Sequence, residues 1–204
     1  MLWRISPRRS RRTPPAGFIL PCQPLLVDRP PAGSDWLHEI KHDGYRILAS
    51  KEGGRVTLWS RHGTNFTDRL PKVAEAVCSL AAENVLIDGE AVTFRSDGHS
   101  DFAALRTKAG SARACLVAFD LLSLNGEDLR QRPLEERRDE LSRVVNGVDN
   151  IVFSEALAAE GALVFAKACE LGLEGIVSKR AGSRYRSGNS RQCLKSKNPA
   201  FVRT

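Results

Sequence analysis

Between Trp36 and Ser60 the apolar runs last only five or six residues before turn-forming residues interrupt them. Trp36 to Lys41 is followed by His42-Asp43-Gly44, Tyr45 to Ser50 by Gly53-Gly54, and Val56 to Ser60 closes the stretch. Runs this short, separated by Gly and Asp, read as strands joined by tight turns, so a meander is expected here. Farther along, Leu70, Val73, Ala74, Val77 and Leu80 recur at helical spacing between Arg69 and Ala82. Val85 to Phe94 reads as a strand interrupted at Asp88-Gly89, Asp101 to Lys108 as a short helix, and Ala114 to Leu122 as a buried strand. Two more helices, Leu134 to Val145 and Ala162 to Leu171, precede the strand-like runs Glu174 to Lys179 and Gln192 to Lys197. Strands and helices in irregular order, with hairpins among them, imply an α+β domain rather than a doubly wound parallel sheet.

A length of 204 residues suits one domain with an arm. The expected division is a basic, disordered arm over residues 1–16 and a folded domain over 17–204. Residues 1–13 hold five arginines and no acid, and Gly175 to Thr204 hold eight Lys or Arg and again no acid. The whole chain carries a net charge of +7, so the middle, residues 14–174, carries −6. An acidic middle between basic ends points to a polyanionic partner met through the ends. No apolar run is long enough to span a membrane. The N-terminal stretch has no secretory apolar core, and Pro14-Pro15 break an amphipathic transit helix. Five scattered cysteines form no CxxC pair, which gives neither a zinc site nor a disulfide framework and suits a reducing cytoplasm.

The densest chemistry lies in Glu39-Ile40-Lys41-His42-Asp43-Gly44-Tyr45-Arg46. On a strand, Glu39 and Lys41 share one face while Ile40 packs behind. The Asp43-Gly44 turn is expected to fold the chain back and bring Arg46 beside Lys41, where a neighbouring guanidinium would favour a nucleophilic amine. Four more segments follow. Leu86 to Val92 places Asp88 and Glu90 on one face, Val117 to Leu122 carries Phe119 and an acid, Glu174 opens a short buried strand, and Leu194-Lys195-Ser196-Lys197 aligns two lysines. The four histidines, His38, His42, His62 and His99, have no ligand spacing and read as surface or turn residues. Trp36 and Trp59 read as core, and the charged Leu134 to Val145 helix as a solvated face.

Taken in order, these five segments resemble the nucleotidyltransferase motifs of the ATP-dependent ligase and mRNA-capping superfamily, most of all the ligase part of bacterial ligase D. The resemblance covers roughly Gly17 to Val202 and implies an ATP-grasp-like fold of antiparallel sheets flanked by helices. It implies that Lys41 attacks ATP and carries AMP, that Glu39 lies at the adenine edge, partly through backbone, and that Arg46 contacts ribose. It further implies Arg61 for phosphate, Glu90 for ribose or metal, Phe119 for stacking on adenine and Glu174 for metal. Lys195 and Lys197 would neutralise the α-phosphate. ATP and magnesium are the implied cofactors, and nicked duplex or DNA ends the implied partner of a monomer in repair and end joining. A nick-binding module without turnover and an RNA-joining or capping enzyme are the alternatives, and the Leu20 to Leu25 lead-in favours DNA. Two departures stand out. Cys193 occupies the usual place of a tryptophan, and no C-terminal OB-fold is expected, which leaves a truncated domain, a relic, or the partner of a separate chain that supplies that domain or an end-bridging function.

Overall fold

The computed structural model describes residues 17–157 and 159–203; the arm inferred for residues 1–16 lies outside them. Two sheets carry the strands. The first is ordered β1 (Cys22–Leu26), β10 (Gly188–Lys197), β9 (Gly175–Arg180), β2 (Trp36–Ile40). The second runs β4 (Arg55–Ser60), β3 (Tyr45–Glu52), β5 (Asn84–Val92), β6 (Cys115–Leu124), β7 (Glu127–Asp128), with β8 (Ile151–Phe153) paired to the other end of β6. Five α-helices accompany them among the described residues: α1 (Pro71–Ser79), α2 (Phe102–Arg106), α3 (Lys108–Ser111), α4 (Leu134–Val145) and α5 (Gly161–Glu170). The fold is α+β, and its seams are antiparallel except β1–β10 and β6–β8.

Local chemistry explains most boundaries. Pro71 opens α1 in the first turn, where a missing N–H costs nothing, and Val73, Ala76 and Val77 face the core. The Asp101 side chain accepts from the Ala104 amide at 2.8 Å and starts α2. β5 and β6 are buried along most of their length because both faces are covered, and their apolar runs Val85 to Ile87 and Leu116 to Ala118 follow from that. Ile47, Leu58, Val73, Ile87 and Leu116 are wholly buried in the larger core, each contributing about 1.5–3 kcal/mol of transfer free energy. The interruption expected at Asp88-Gly89 is a shift of register against β6, not a break in the strand. Gly89 is required there, since a β-carbon would press on the Leu116 side chain and the Val117 carbonyl.

Three expectations are corrected. First, the meander holds only for β3 and β4, which close a hairpin over Gly53-Gly54. β2 pairs with β9 and not with β3, so the segment after Ile40 carries the chain from one sheet to the other. A turn signal specifies a local reversal, but it cannot specify which strand becomes the partner. Second, the proline-rich lead-in contains a strand: β1 lies on the sheet edge, where Pro24 is tolerated, parallel to β10. Third, α4 is no simple solvated face. Leu134, Arg137, Arg138, Leu141 and Val145 are all buried, one stripe at helical spacing with two arginines inside it.

Candidate active site

A cavity of about 640 Å³ opens between the two sheets, a volume suited to a small-molecule ligand. All nine residues singled out from the sequence line it: Glu39, Lys41, Arg46, Arg61, Glu90, Phe119, Glu174, Lys195 and Lys197. They arrive from both sheets and from the loops between, which explains how segments distant in sequence meet.

Lys41 stands where the chain leaves the first sheet, and its amide donates to the Gly175 carbonyl at 2.9 Å. Asp43, buried, is held by the Arg203 guanidinium. Gly44 follows because a β-carbon there would overlap the Ala91 carbonyl oxygen. The Lys-x-Asp-Gly spacing thus places a lysine at a strand end, anchors the turn by its acid, and lets the backbone pass close to β5. The Lys41 amine donates to Glu174 Oε2 at 2.7 Å, while Lys197 Nζ lies 3.0 Å from Glu174 Oε1. Burial acts to raise the Glu174 pKa, but Lys41 and then Lys197 outweigh it and hold the carboxyl below its ordinary value.

The expected pairing of Lys41 with Arg46 is not what forms. Arg46 lies across from Glu90 on the second sheet and donates through Nε and Nη2 to Asp88 at 2.6 and 2.8 Å. Asp88 is wholly buried, and a fully desolvated carboxylate is the stronger claim on a guanidinium. Tyr185 Oη donates to the same Asp88 at 2.6 Å and accepts from the Cys22 amide at 2.8 Å, and Arg46 Nη2 also donates to the Cys22 carbonyl at 3.2 Å. Burial, then the Asp88 charge, push the Tyr185 hydroxyl far above its ordinary pKa, so it remains a donor.

At the opposite end Glu39 is buried inside a network that sequence reading missed. Its Oε1 meets Arg138 Nη1 and Lys179 Nζ, each at 2.7 Å, and its Oε2 accepts from Ser154 Oγ at 2.9 Å. Arg138 also donates to the Ser154 carbonyl at 2.6 Å, and Lys179 donates to the Phe119 carbonyl at 3.0 Å. The Phe119 ring has the Arg46 guanidinium 4.4 Å and the Lys179 ammonium 4.6 Å from its centroid. Arg137 on the same helix is paired with Asp120 at 2.7 Å. One signal could have found both arginines: they fall on the apolar stripe of α4, where a surface charge has no place.

The Glu90 carboxylate has no hydrogen-bond or ion-pair partner among the described residues, and burial pushes its pKa up to about 7 against the pull of Arg46 and Lys41. Further cations line the same cleft. Burial, then the charges of Lys41 and Lys197, lower the Lys195 pKa, and Arg61 is held toward this side by Gln23 at 2.5 Å. One half of the cleft therefore gathers positive charge for an anion, and the other offers an aromatic ring over an ion-paired floor.

The histidines divide. His38 is corrected from surface to core: it is buried on β2, its Nδ1 2.9 Å from Ser178 Oγ, and burial lowers its pKa. His99 sits in an exposed turn with its Nε2 2.8 Å from the Leu171 carbonyl oxygen. Trp36 and Trp59 are half-buried; Trp59 packs edge-on to Phe18. Among the described residues no three acids, histidines or cysteines gather as a metal cage, and no helix is long and apolar enough to cross a membrane.

A cleft between two sheets, with a strand-end lysine against a buried carboxylate and a cationic wall, defines a nucleotidyltransferase-type site. The chain belongs to the ATP dependent DNA ligase domain family, whose model matches residues 29–197. It is 40% identical over 191 residues to the multifunctional non-homologous end joining protein LigD of Pseudomonas aeruginosa, covering 91% of this chain and 23% of that protein. LigD of Mycobacterium bovis is 36% identical over 160 residues, 78% of this chain and 21% of that protein. The chain thus spans less than a quarter of these two LigD proteins and about a third of the shorter DNA ligases it also matches. Among solved structures, mycobacterial DNA ligase D complexed with ATP and MES superposes with a TM-score of 0.77 at 31% identity, covering 88% of this chain and 60% of that one. A Chlorella virus DNA ligase-adenylate shares the fold at a TM-score of 0.60 and 16% identity, over 87% of this chain and 68% of that one.

Proposed function

We propose that residues 17–204 form an adenylation domain that transfers AMP from ATP to Lys41, in the service of DNA strand joining during cytoplasmic end-joining repair. The observation that carries this is the position of the Lys41 amine, 2.7 Å from Glu174 and inside a cleft with Lys195, Lys197 and Arg61. The amine gives up its proton to solvent water and breaks its contact with Glu174, then attacks the α-phosphorus. A P–N bond forms, the bond to the bridging oxygen breaks, and pyrophosphate leaves. Lys195 and Lys197 meet the charge that builds on the α-phosphate, and Arg61 offers its planar fork to phosphate oxygens. Phe119 stacks on adenine and Arg46, oriented by Asp88, reaches the ribose. Glu39 acts at the adenine edge through its backbone, because its carboxylate is already occupied by Arg138, Lys179 and Ser154.

Magnesium fits the donor set. Glu90 offers a carboxylate free of ion pairs among the described residues, and Glu174 a second hard oxygen, so phosphates and water would complete the shell. Bound there, the ion would shield the polyphosphate charge. The DNA ligase names of the relatives favour a nicked duplex or DNA ends over RNA as the acceptor. Sealing, unlike self-adenylation, is expected to draw on surfaces beyond these residues, in the same or a separate chain, such as an OB-fold or an end-bridging module.

The test is incubation of the reduced protein with α-labelled ATP and magnesium. Label should attach covalently to the wild type and be absent from Lys41→Ala, with both proteins folded by circular dichroism. Label retained by Lys41→Ala refutes the nucleophile, and an unlabelled wild type favours a nick-binding module without turnover.

A further inference from the structure

None of the five motif segments includes the loop of residues 181–187 that joins β9 to β10, a stretch whose sequence reads as a basic turn. Arg184 and Arg186 are exposed there, but Tyr185 between them is only 8% exposed and packs against Leu48, Leu86 and Leu122 of the second sheet. The loop is pinned along its length. The Gly182 amide donates to both Glu135 oxygens at 2.9 Å, the Ser183 carbonyl accepts from Arg137 Nη1 at 2.9 Å, and the Tyr185 amide donates to the Arg130 carbonyl at 2.9 Å. A loop that leaves the first sheet is thus fastened to the second, and its buried side chain ends at Asp88.

We propose that Tyr185 is a positioning residue whose hydroxyl fixes the Arg46 guanidinium for the ribose and so sets how tightly the cleft holds ATP. The proposal rests on the adenylation reading above and adds to it a residue that acts only through Arg46.

The argument begins at Asp88. Arg46 Nε donates to Oδ1 at 2.6 Å, while Arg46 Nη2 and Tyr185 Oη both donate to Oδ2, at 2.8 and 2.6 Å. A carboxylate bound by one guanidinium can turn about its Cβ–Cγ bond and carry that guanidinium with it, because this torsion is soft. A third donor, arriving from a separate part of the chain, removes that freedom. The Tyr185 hydroxyl also accepts from the Cys22 amide at 2.8 Å, and Arg46 Nη2 donates to the Cys22 carbonyl at 3.2 Å. The circuit therefore closes, from the Cys22 amide to Tyr185, Asp88, Arg46 and back to the Cys22 carbonyl. It joins β1 of the first sheet to β3 and β5 of the second, and it holds the guanidinium carbon 4.4 Å from the centroid of the Phe119 ring. Removing the hydroxyl leaves the Cys22 amide without its acceptor and Asp88 with the guanidinium alone. Arg46 is then free to reorient. Lys41 is held separately, by Glu174, so the loss falls on ATP binding and not on the step that forms the P–N bond.

The first measurement needs no nucleotide. Tyr185→Phe keeps the ring and its packing but loses the hydroxyl. Its Cys22 amide, followed by NMR-detected hydrogen exchange, should exchange about tenfold faster than in the wild type, while amides of the β3–β4 hairpin keep their rates. Equal exchange at Cys22 overturns the circuit. With α-labelled ATP and magnesium, the ATP concentration for half-maximal labelling should rise about tenfold in Tyr185→Phe, with the rate at saturating ATP unchanged. A lower saturating rate at an unchanged ATP dependence overturns the positioning role. The preference of the wild type for ATP over 2′-deoxy- and 3′-deoxy-ATP should shrink in the variant, and an undiminished preference for ATP over both overturns the link to the ribose. In an Arg46→Ala background Tyr185→Phe should add little to the ATP concentration required, whereas a fully additive effect shows that it does not act through Arg46. Should Tyr185→Phe fail to fold, the wild type decides: saturation with ATP in the absence of magnesium should slow exchange at the Cys22 amide, because a ribose held by Arg46 stiffens the circuit, and unchanged exchange overturns it. A wild type that takes no label, with the Cys22 exchange difference intact, tells against the adenylation reading and not against the circuit.

Discussion

Arg138→Ala should be among the most destabilising single changes in this chain, although it lies in a helix whose sequence looks like a solvated charged face. The side chain is 6% exposed, and it donates to Glu39 at 2.7 Å, to the Ser154 carbonyl at 2.6 Å and to the Phe119 carbonyl at 3.4 Å. Truncation empties a buried site and leaves those acceptors in it. Breaking a buried ion pair costs about 3–5 kcal/mol. Lys179 still faces Glu39 Oε1 at 2.7 Å and Ser154 Oγ still serves Oε2, so the loss should fall near the lower end, about 3 kcal/mol. That is a large part of the roughly 5–15 kcal/mol by which a domain is stable. With a urea slope of about 2 kcal/mol per molar, the unfolding midpoint should drop by about 1.5 M. Arg143→Ala is the matched control, five residues along the same helix: its side chain is 69% exposed and pairs only with Glu140. An exposed pair of this kind contributes about 0–1 kcal/mol, so its midpoint should hardly move. Equal midpoints for the two variants would refute the structural role assigned to Arg138, and with it the idea that α4 supports the floor of the cleft. A Glu39→Gln background adds a second check, because removing the charge that Arg138 serves should shrink the penalty of Arg138→Ala.

Other expectations follow from single groups. The Glu90 carboxyl has a folded-state pKa of about 7 against an ordinary 4.5, so the stability it contributes is fully present below pH 4.5 and lost as pH rises through 7. Urea midpoints across that window should fall in the wild type and flatten in Glu90→Gln; an unchanged slope would show that another group titrates. Phe119→Ala should raise the ATP concentration for half-maximal labelling by about five- to 150-fold, from roughly 1–3 kcal/mol of lost stacking. An unaltered ATP dependence would place the base elsewhere. Glu174→Ala should slow labelling, with part of the loss regained at higher magnesium, and no response to magnesium would remove Glu174 from the metal site. Gly44→Ala should lower both stability and labelling, because the new β-carbon meets the Ala91 carbonyl and the Glu90 side chain; wild-type behaviour would show that the turn can shift at no cost.

The elements and the chemical inventory are legible in the chain before it folds. Apolar spacing marked α1, α4 and α5 to within a few residues, the Gly53-Gly54 turn marked the β3–β4 hairpin, and every residue named for the site lines one cavity. Those features are local: a helix needs only a stripe of the right period, a tight turn only its own residues, and reactive side chains announce themselves by type. Which of them touch is set by how the two sheets pack. Nothing near Lys41 in sequence says that its partner is Glu174, 133 residues away, or that Arg46 is claimed by Asp88 and Tyr185. Nothing near Cys22 says that it opens an edge strand parallel to β10, opposite Gly188. The same holds for Glu39, whose carboxylate is satisfied by Arg138 and Ser154 from elements folded over it. Buried charges take the partner that desolvation leaves within reach, and reach is set by how two sheets are laid together, a property that no short stretch of chain encodes.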